Sequence, residues 1–203
     1  MEANLLIEDY NTVETIIEES ESGEKKVKFR GIISESDTFN GNHRIYKYQI
    51  LKDAFNELKK SMDEGKDILG ELEHPSTAKI NMDRLAVKFI KLDWKDTPDG
   101  KGQIIGESIP LDTPCGNLVK GLSKDVKICF STRSSGKLKP YTGPLAEGKT
   151  GYFEVEPGLK IIAIDVVSTP SCQKAIMDTV YEEKMVNEEV HNPTFKTVFD
   201  SLL

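Results

Sequence analysis

The chain has 203 residues, 37% of them hydrophobic and 30% charged, with a formal net charge of −7. That length suffices for one sizeable core, and the acidic balance excludes an electrostatic grip on nucleic acid or anionic lipid. No apolar run approaches the roughly 20 residues that span a bilayer, and the start, through Leu5-Leu6-Ile7, lacks a basic region ahead of a long apolar one, so no membrane segment and an intracellular site are expected.

In chain order, residues 1–25 mix the apolar patch Leu5-Leu6-Ile7 with an acidic run at Glu18, Glu19 and Glu21, and read as an arm and a loop ending at Gly23. Lys26 to Ile33 alternates as a half-buried strand, with Gly31 marking a bulge or close approach. The turn cluster from Asn40 to Tyr46 leads into a helix whose stripe is Ile50, Leu51, Ala54, Phe55, Leu58 and Met62, stopping at Gly65. A short strand, Ile68 to Leu72, runs into His74-Pro75. Proline disfavours the α region for the residue before it, so the imidazole is expected at a rigid strand end. Residues 85–94 and Gln103 to Glu107 form a hairpin around Pro98-Asp99-Gly100. Thr113 caps a helix that Pro114 opens.

Residues 126–136 are the stretch most suggestive of chemistry. They begin as an alternating β run and end in a hydroxyl-rich segment read as the turn Ser134-Ser135-Gly136. Alternation places Cys129, Ser131 and Arg133 on one face, and Ile128, Phe130 and Thr132 on the other. Tyr152 to Glu156 is a further strand, and Leu159 to Val167 is the most buried one. Asp165 is the lone charge in that apolar run, and a buried carboxylate needs donors or a cation. Gln173 to Val190 is a polar helical pattern, and Pro193 separates it from Phe195 to Leu203. The three cysteines, Cys115, Cys129 and Cys172, have no metal-ligand rhythm, so reduced thiols are expected, with no disulfide framework, metal or cofactor.

Three histidines compete as a base. His43 stands in a polar turn and His191 in the tail, both expected exposed and inert, whereas His74 is fixed by its proline. On the residues alone, plain readings stay open beside the catalytic one: a surface strand leading into a polar loop, a structural strand-end His, and an Asp capping the turn at Thr169-Pro170-Ser171.

The segments Asn40 to Tyr46, Gly70-Glu71-Leu72-Glu73-His74-Pro75, Phe130-Ser131-Thr132-Arg133 and Ile164-Asp165 through Ser171, in that order, resemble the prohead core proteases of T-even-like myoviruses. These are serine peptidases related in fold to the herpesvirus capsid-maturation proteases. The likeness runs over roughly residues 28–175. It implies a mainly β fold with flanking helices (α+β), a single β-barrel-like domain with two or three helices and a C-terminal tail. The corresponding division is an arm at 1–25, a protease domain at 26–175 and a removable tail at 176–203.

Carried over by position, the resemblance makes His74 the catalytic base, Ser131 the nucleophile and Asp165 the orienter of the imidazole. These residue types suit acyl transfer. A serine hydroxyl needs a base to take its proton, and an imidazole with an ordinary pKa near 6.5 can accept it and return it to the leaving amine. Arg133 is expected to help at the oxyanion, with backbone N–H groups of the 134–136 turn. Family members tend to read Ser-Ser-Arg-Gly where this chain has Ser131-Thr132-Arg133-Ser134, so Ser134 stands where a glycine is expected. Ser134, Ser135 and Cys129 are the alternative nucleophiles.

The implied function is a procapsid-maturation endopeptidase acting inside the prohead in the host bacterial cytoplasm. Its substrates would be scaffold or core proteins, the major capsid protein and the chain itself, without nucleic acid or membrane, in a homo-oligomer. Cleavage after Glu is implied, and Leu6-Ile7-Glu8 and Ile17-Glu18-Glu19 suit such a site. The alternative is a catalytically silent, ring-forming phage structural protein of tail-tube-like barrel fold.

Overall fold

The alternating runs become strands in the computed structural model, which describes residues 4–10, 12–19, 25–147 and 150–168, with side chains from residue 27 onward. The order is β1 (Asn4–Tyr10), β2 (Thr12–Glu19), β3 (Lys25–Glu35), β4 (Arg44–Ile45), α1 (Tyr48–Asp63), β5 (Ile68–Glu71), β6 (Leu85–Asp96), β7 (Gly102–Pro110), α2 (Pro114–Leu122), β8 (Cys129–Gly136), β9 (Leu138–Pro140), β10 (Phe153–Val155) and β11 (Lys160–Val167). The strands form a five-stranded sheet in the order β2-β3-β7-β6-β5 and two three-stranded sheets, β1-β8-β11 and β4-β10-β9. The fold is mainly β with two flanking helices among the described residues. The tail at 176–203, Cys172 and His191 lie outside the described residues.

The apolar alternation of β7 is kept, with Ile104 and Ser108 buried on one face, whereas β6 changes parity at its register shift between Phe89 and Lys91. In β3, Val27, Phe29 and Ile33 are buried while Arg30 is exposed, and the register slips between Ile32 and Ser34, beside Gly31. The β6–β7 hairpin closes where Thr97 accepts from Gly100 at 3.0 Å, with Gly100 at φ +80°. Glycine takes that backbone region without a Cβ penalty. The turn cluster before α1 is organised by Asn40, whose side chain accepts from the backbone N–H groups of Asn42 and Arg44 at 2.9 and 3.0 Å. Helix α1 buries Leu51, Ala54, Phe55 and Leu58, and Gly65 at φ +89° follows its end. Helix α2 starts as expected, with Thr113 Oγ1 accepting from Gly116 N–H at 3.0 Å.

Two expectations change. The segment read as an arm enters the sheets: β1 pairs antiparallel with β8, and β2 with β3. The register sets Glu18 opposite Lys26 and Glu19 opposite Lys25. The Ser134-Ser135-Gly136 turn is instead the continuation of β8, held on both sides, since Ser134 pairs with Leu6 of β1 and Ile161 of β11. Hydroxyl residues favour turns when local backbone groups are unpaired; here two neighbouring strands take those groups.

Candidate active site

The core side of β8 determines where its polar side points. Phe130 packs edge-on against Phe29 and Phe89, with centroids 6.1 and 5.3 Å away. Side chains alternate along a strand, so burying Phe130 turns Ser131 to the opposite face. The same logic holds in β11, where Ile164 and Val166 join the core and Asp165 faces away from it. Strands β8 and β11 pair so that Asp165 is the cross-strand partner of Ser131. Directly opposed residues lie on one face with side chains close together.

The histidine reaches this pair from β5. Gly70 lets that strand press against β11: a Cβ built there would lie 1.9 Å from the Ile164 carbonyl oxygen and 2.8 Å from Val87 Cγ2. Past β5, Leu72 bridges Val166 in parallel fashion and Glu73 N–H donates to the Val166 carbonyl at 2.7 Å. Glu73 then adopts φ +60°, a left-handed conformation uncommon for a residue with a side chain. This turn brings His74 over β8 and β11. Its Nδ1 lies 2.9 Å from Asp165 Oδ2 and its Nε2 2.5 Å from Ser131 Oγ. An ionised carboxylate only accepts, so Nδ1 carries the proton and Nε2 is left to accept from the serine hydroxyl. Ser131 and Asp165 are fully buried, and the His74 side chain keeps 14% exposure.

Asp165 meets the donors its burial requires. Oδ1 accepts from Glu71 N–H at 2.9 Å and from Arg133 Nη2 at 3.2 Å. Arg133 Nε stands 3.0 Å from Oδ2 as an ion pair, although its N–H is not aligned for a hydrogen bond. Arg133 therefore departs from the expected oxyanion role. It is fully buried, and its other contacts are Nη2 to Glu71 Oε1 at 2.7 Å and Nη1 to the Thr77 carbonyl at 2.7 Å. The reason is cross-strand size: Arg133 pairs with Ala163, whose methyl leaves room for the guanidinium to lie diagonally onto Asp165.

Sequence reasoning misses Glu71. It is a fully buried carboxylate whose Oε1 also accepts from Asn81 N–H at 3.1 Å. The signal that singles out Asp165, a charge inside an apolar strand, is equally present in Ile68-Leu69-Gly70-Glu71-Leu72.

The other candidates lie elsewhere. Ser134 sits on the strand face opposite Ser131, and Ser135 is roughly 13 Å along the strand from it at 3.3 Å per residue. Ser134 lies in extended strand, outside the residues with positive φ, so a serine there carries no backbone penalty. Cys129 is buried at the start of β8, paired in register with Val167. His43 is exposed at φ +56° and stacks on Tyr152 at 4.5 Å.

Comparison with known proteins gives the family. The prohead core protein protease of Enterobacteria phage T4 is 28% identical over 148 residues, 71% of this chain and 65% of that protein. This chain thus matches just under two thirds of the curated relative's length. The structure of the bacteriophage T4 capsid assembly protease, gp21, shares the fold with a TM-score of 0.68, at 24% identity over 84% of this chain and 100% of that one. A model described as prohead core protein serine protease matches residues 3–187, and the chain belongs to that family.

Proposed function

We propose that the chain is a serine endopeptidase of prohead maturation in which Ser131 is the nucleophile, His74 the general base and acid, and Asp165 the group that orients the imidazole. The observation that carries this reading is the bridging position of His74, with one ring nitrogen on Ser131 Oγ and the other on Asp165. As Ser131 Oγ bonds to the scissile carbonyl carbon, its proton passes to His74 Nε2, and the carbonyl π electrons move onto oxygen. Collapse of the tetrahedral adduct expels the amine, which takes the proton from Nε2 and leaves an acyl-serine. Water then repeats the sequence: it bonds to the acyl carbon as its proton passes to Nε2, and collapse breaks the bond to Ser131 Oγ, which takes that proton back as the acid is released. Asp165 keeps the Nδ1 proton in place and stabilises the imidazolium each time it forms.

The substrates in this reading are the phage's scaffold or core proteins, its major capsid protein and the chain itself, cut inside the prohead within the host cytoplasm by a homo-oligomer. The family supports the first part. The register of β1 supports self-cleavage: an extended stretch lies antiparallel on the nucleophile's strand, with Glu8 opposite Thr132 and Asp9 opposite Ser131. Strand addition is a common way to present an extended peptide. The segment from 176 onward is the second piece expected to be removed. The test is incubation of the cognate core protein with wild type, His74→Ala and Ser131→Ala. Cleavage by wild type alone is expected, and equal cleavage by both variants would place the site elsewhere.

A further inference from the structure

We infer that Glu71 is a positioning residue for His74: it supplies the negative charge that Arg133 cancels on Asp165, and so keeps the site favourable to an imidazolium. The inference rests on the reading of Ser131, His74 and Asp165 given above. It starts from an electrostatic difficulty. A triad carboxylate assists its histidine by opposing the positive charge that develops on the ring. Here Asp165 is already engaged by a guanidinium, through Nη2 at 3.2 Å and Nε at 3.0 Å. Taken alone, that pair is neutral and gives the ring little.

Glu71 changes the sum. Its carboxylate accepts from the same Nη2 at 2.7 Å, and its backbone N–H donates to Asp165 Oδ1 at 2.9 Å. Glu71, Arg133 and Asp165 are all fully buried, so water screens none of them directly. Two carboxylates and one guanidinium leave a charge of −1 when His74 is neutral and zero when it is protonated. The cluster is therefore balanced when His74 is protonated, the state the ring enters as Ser131 gives up its proton.

The surrounding charges do not remove this bias. Arg84, on the turn before β6, stands with its buried Nε 3.6 Å from Glu71 Oε2 and opposes part of the Glu71 charge, while its side chain as a whole is 41% exposed and its charge is thereby partly screened. Glu73, next to His74 and exposed, accepts from Ser168 N–H. On the β1 side, the charged positions nearest in register are Asp9 opposite Ser131 and Glu8 opposite Thr132. Glu71 is the counter-charge with no exposure. Its place at the end of β5, one residue after Gly70 and three before His74, ties it to the element that carries the imidazole.

The test is the titration of His74, followed by NMR of its imidazole and by the pH dependence of Ser131 labelling with a fluorophosphonate. Glu71→Gln keeps an acceptor for Arg133 and Asn81 and removes only the charge. Its midpoint is expected to fall by about one pH unit, the size of a charge change a few ångströms away behind an intervening group. Glu71→Asp keeps the charge and should return the midpoint toward that of wild type. Arg84→Gln removes the partly screened opposing charge at a half-buried position and should move the midpoint the other way, upward. That variant tests the inference even if Glu71→Gln does not fold. An unchanged midpoint in the folded variants, or a shift in the same direction for Glu71→Gln and Arg84→Gln, would overturn it. If wild type is never labelled at Ser131, the proposed activity fails, and the NMR titration still decides the role of Glu71.

Discussion

Ser131 and Asp165 face each other as cross-strand partners on β8 and β11, and His74 joins their side chains from the turn that follows a third strand, β5. The relationship is set by backbone pairing before any side chain is considered. Shifting β11 by one residue would put Asp165 in the core and Ile164 or Val166 against the histidine. Replacing the acid by its amide keeps the pairing and changes the chemistry. Asp165→Asn should lower the rate of peptide cleavage by about 10⁴-fold, as when a triad carboxylate elsewhere becomes an amide. Ser131→Ala and His74→Ala should each lose about 10⁴ to 10⁶-fold, and the double variant little more, because the pair acts as a unit. Steady-state cleavage of one peptide by wild type and these variants measures this.

Gly70 is expected to be intolerant of any side chain. The atom its Cβ would meet at 1.9 Å is a backbone carbonyl oxygen, which cannot rotate away. Gly70→Ala should therefore push β5 off β11 and cost about 1–3 kcal/mol of stability, as overpacking of a tight contact does. Glu71 N–H would leave Asp165 in the same movement. Urea unfolding and Ser131 labelling should decline together, and a fully stable Gly70→Ala would show that the close approach is not required.

Cys129 should prove dispensable. It is buried two residues before Ser131, and buried thiols usually serve packing. Cys129→Ala should label at the rate of wild type with a fluorophosphonate. Loss of labelling with the fold intact would return the thiol to consideration as nucleophile.

A pH-dependent contribution to stability lies away from the site. Tyr48 Oη–H and Trp94 Nε1–H both donate to Asp96 Oδ1 at 2.7 Å, and these bonds, the one from Tyr48 foremost, hold its carboxyl below the ordinary 3.8. A carboxyl depressed in the folded state contributes stability that is present above its unfolded value and lost as pH falls through its folded value. Asp96→Asn should thus lower the thermal midpoint at about pH 6, well above the ordinary carboxylate range, and the gap from wild type should close as the pH is taken below 3.8. A gap that is constant with pH would assign the effect to packing.

Much of this arrangement is legible from residue order, because the signals are local. Alternation marks β3, the Pro98-Asp99-Gly100 turn marks the β6–β7 hairpin, a nearly continuous apolar run marks β11, Thr113-Pro114 marks the start of α2, and one charge in that apolar run marks Asp165. What stays hidden depends on distant partners. Residue order points Arg133 at the oxyanion because a strand face shows which residues are neighbours but not that Ala163 opposite leaves space toward Asp165. Glu71 carries the same signal as Asp165, yet its partner Arg133 is 62 positions away, and only the meeting of β5 with β11 brings them together. The segment 134–136 has turn-forming residues, and the pairing of β1 and β11 on either side decides in favour of strand.

The most direct test of the central claim is labelling of the folded protein with a fluorophosphonate, followed by peptide mapping by mass spectrometry. A single adduct on Ser131 is expected in wild type, with no adduct at Ser134 or Ser135 and a sharply reduced rate in His74→Ala. An adduct on another serine, or equal labelling of wild type and His74→Ala, would contradict the assignment of Ser131 and His74 as nucleophile and base.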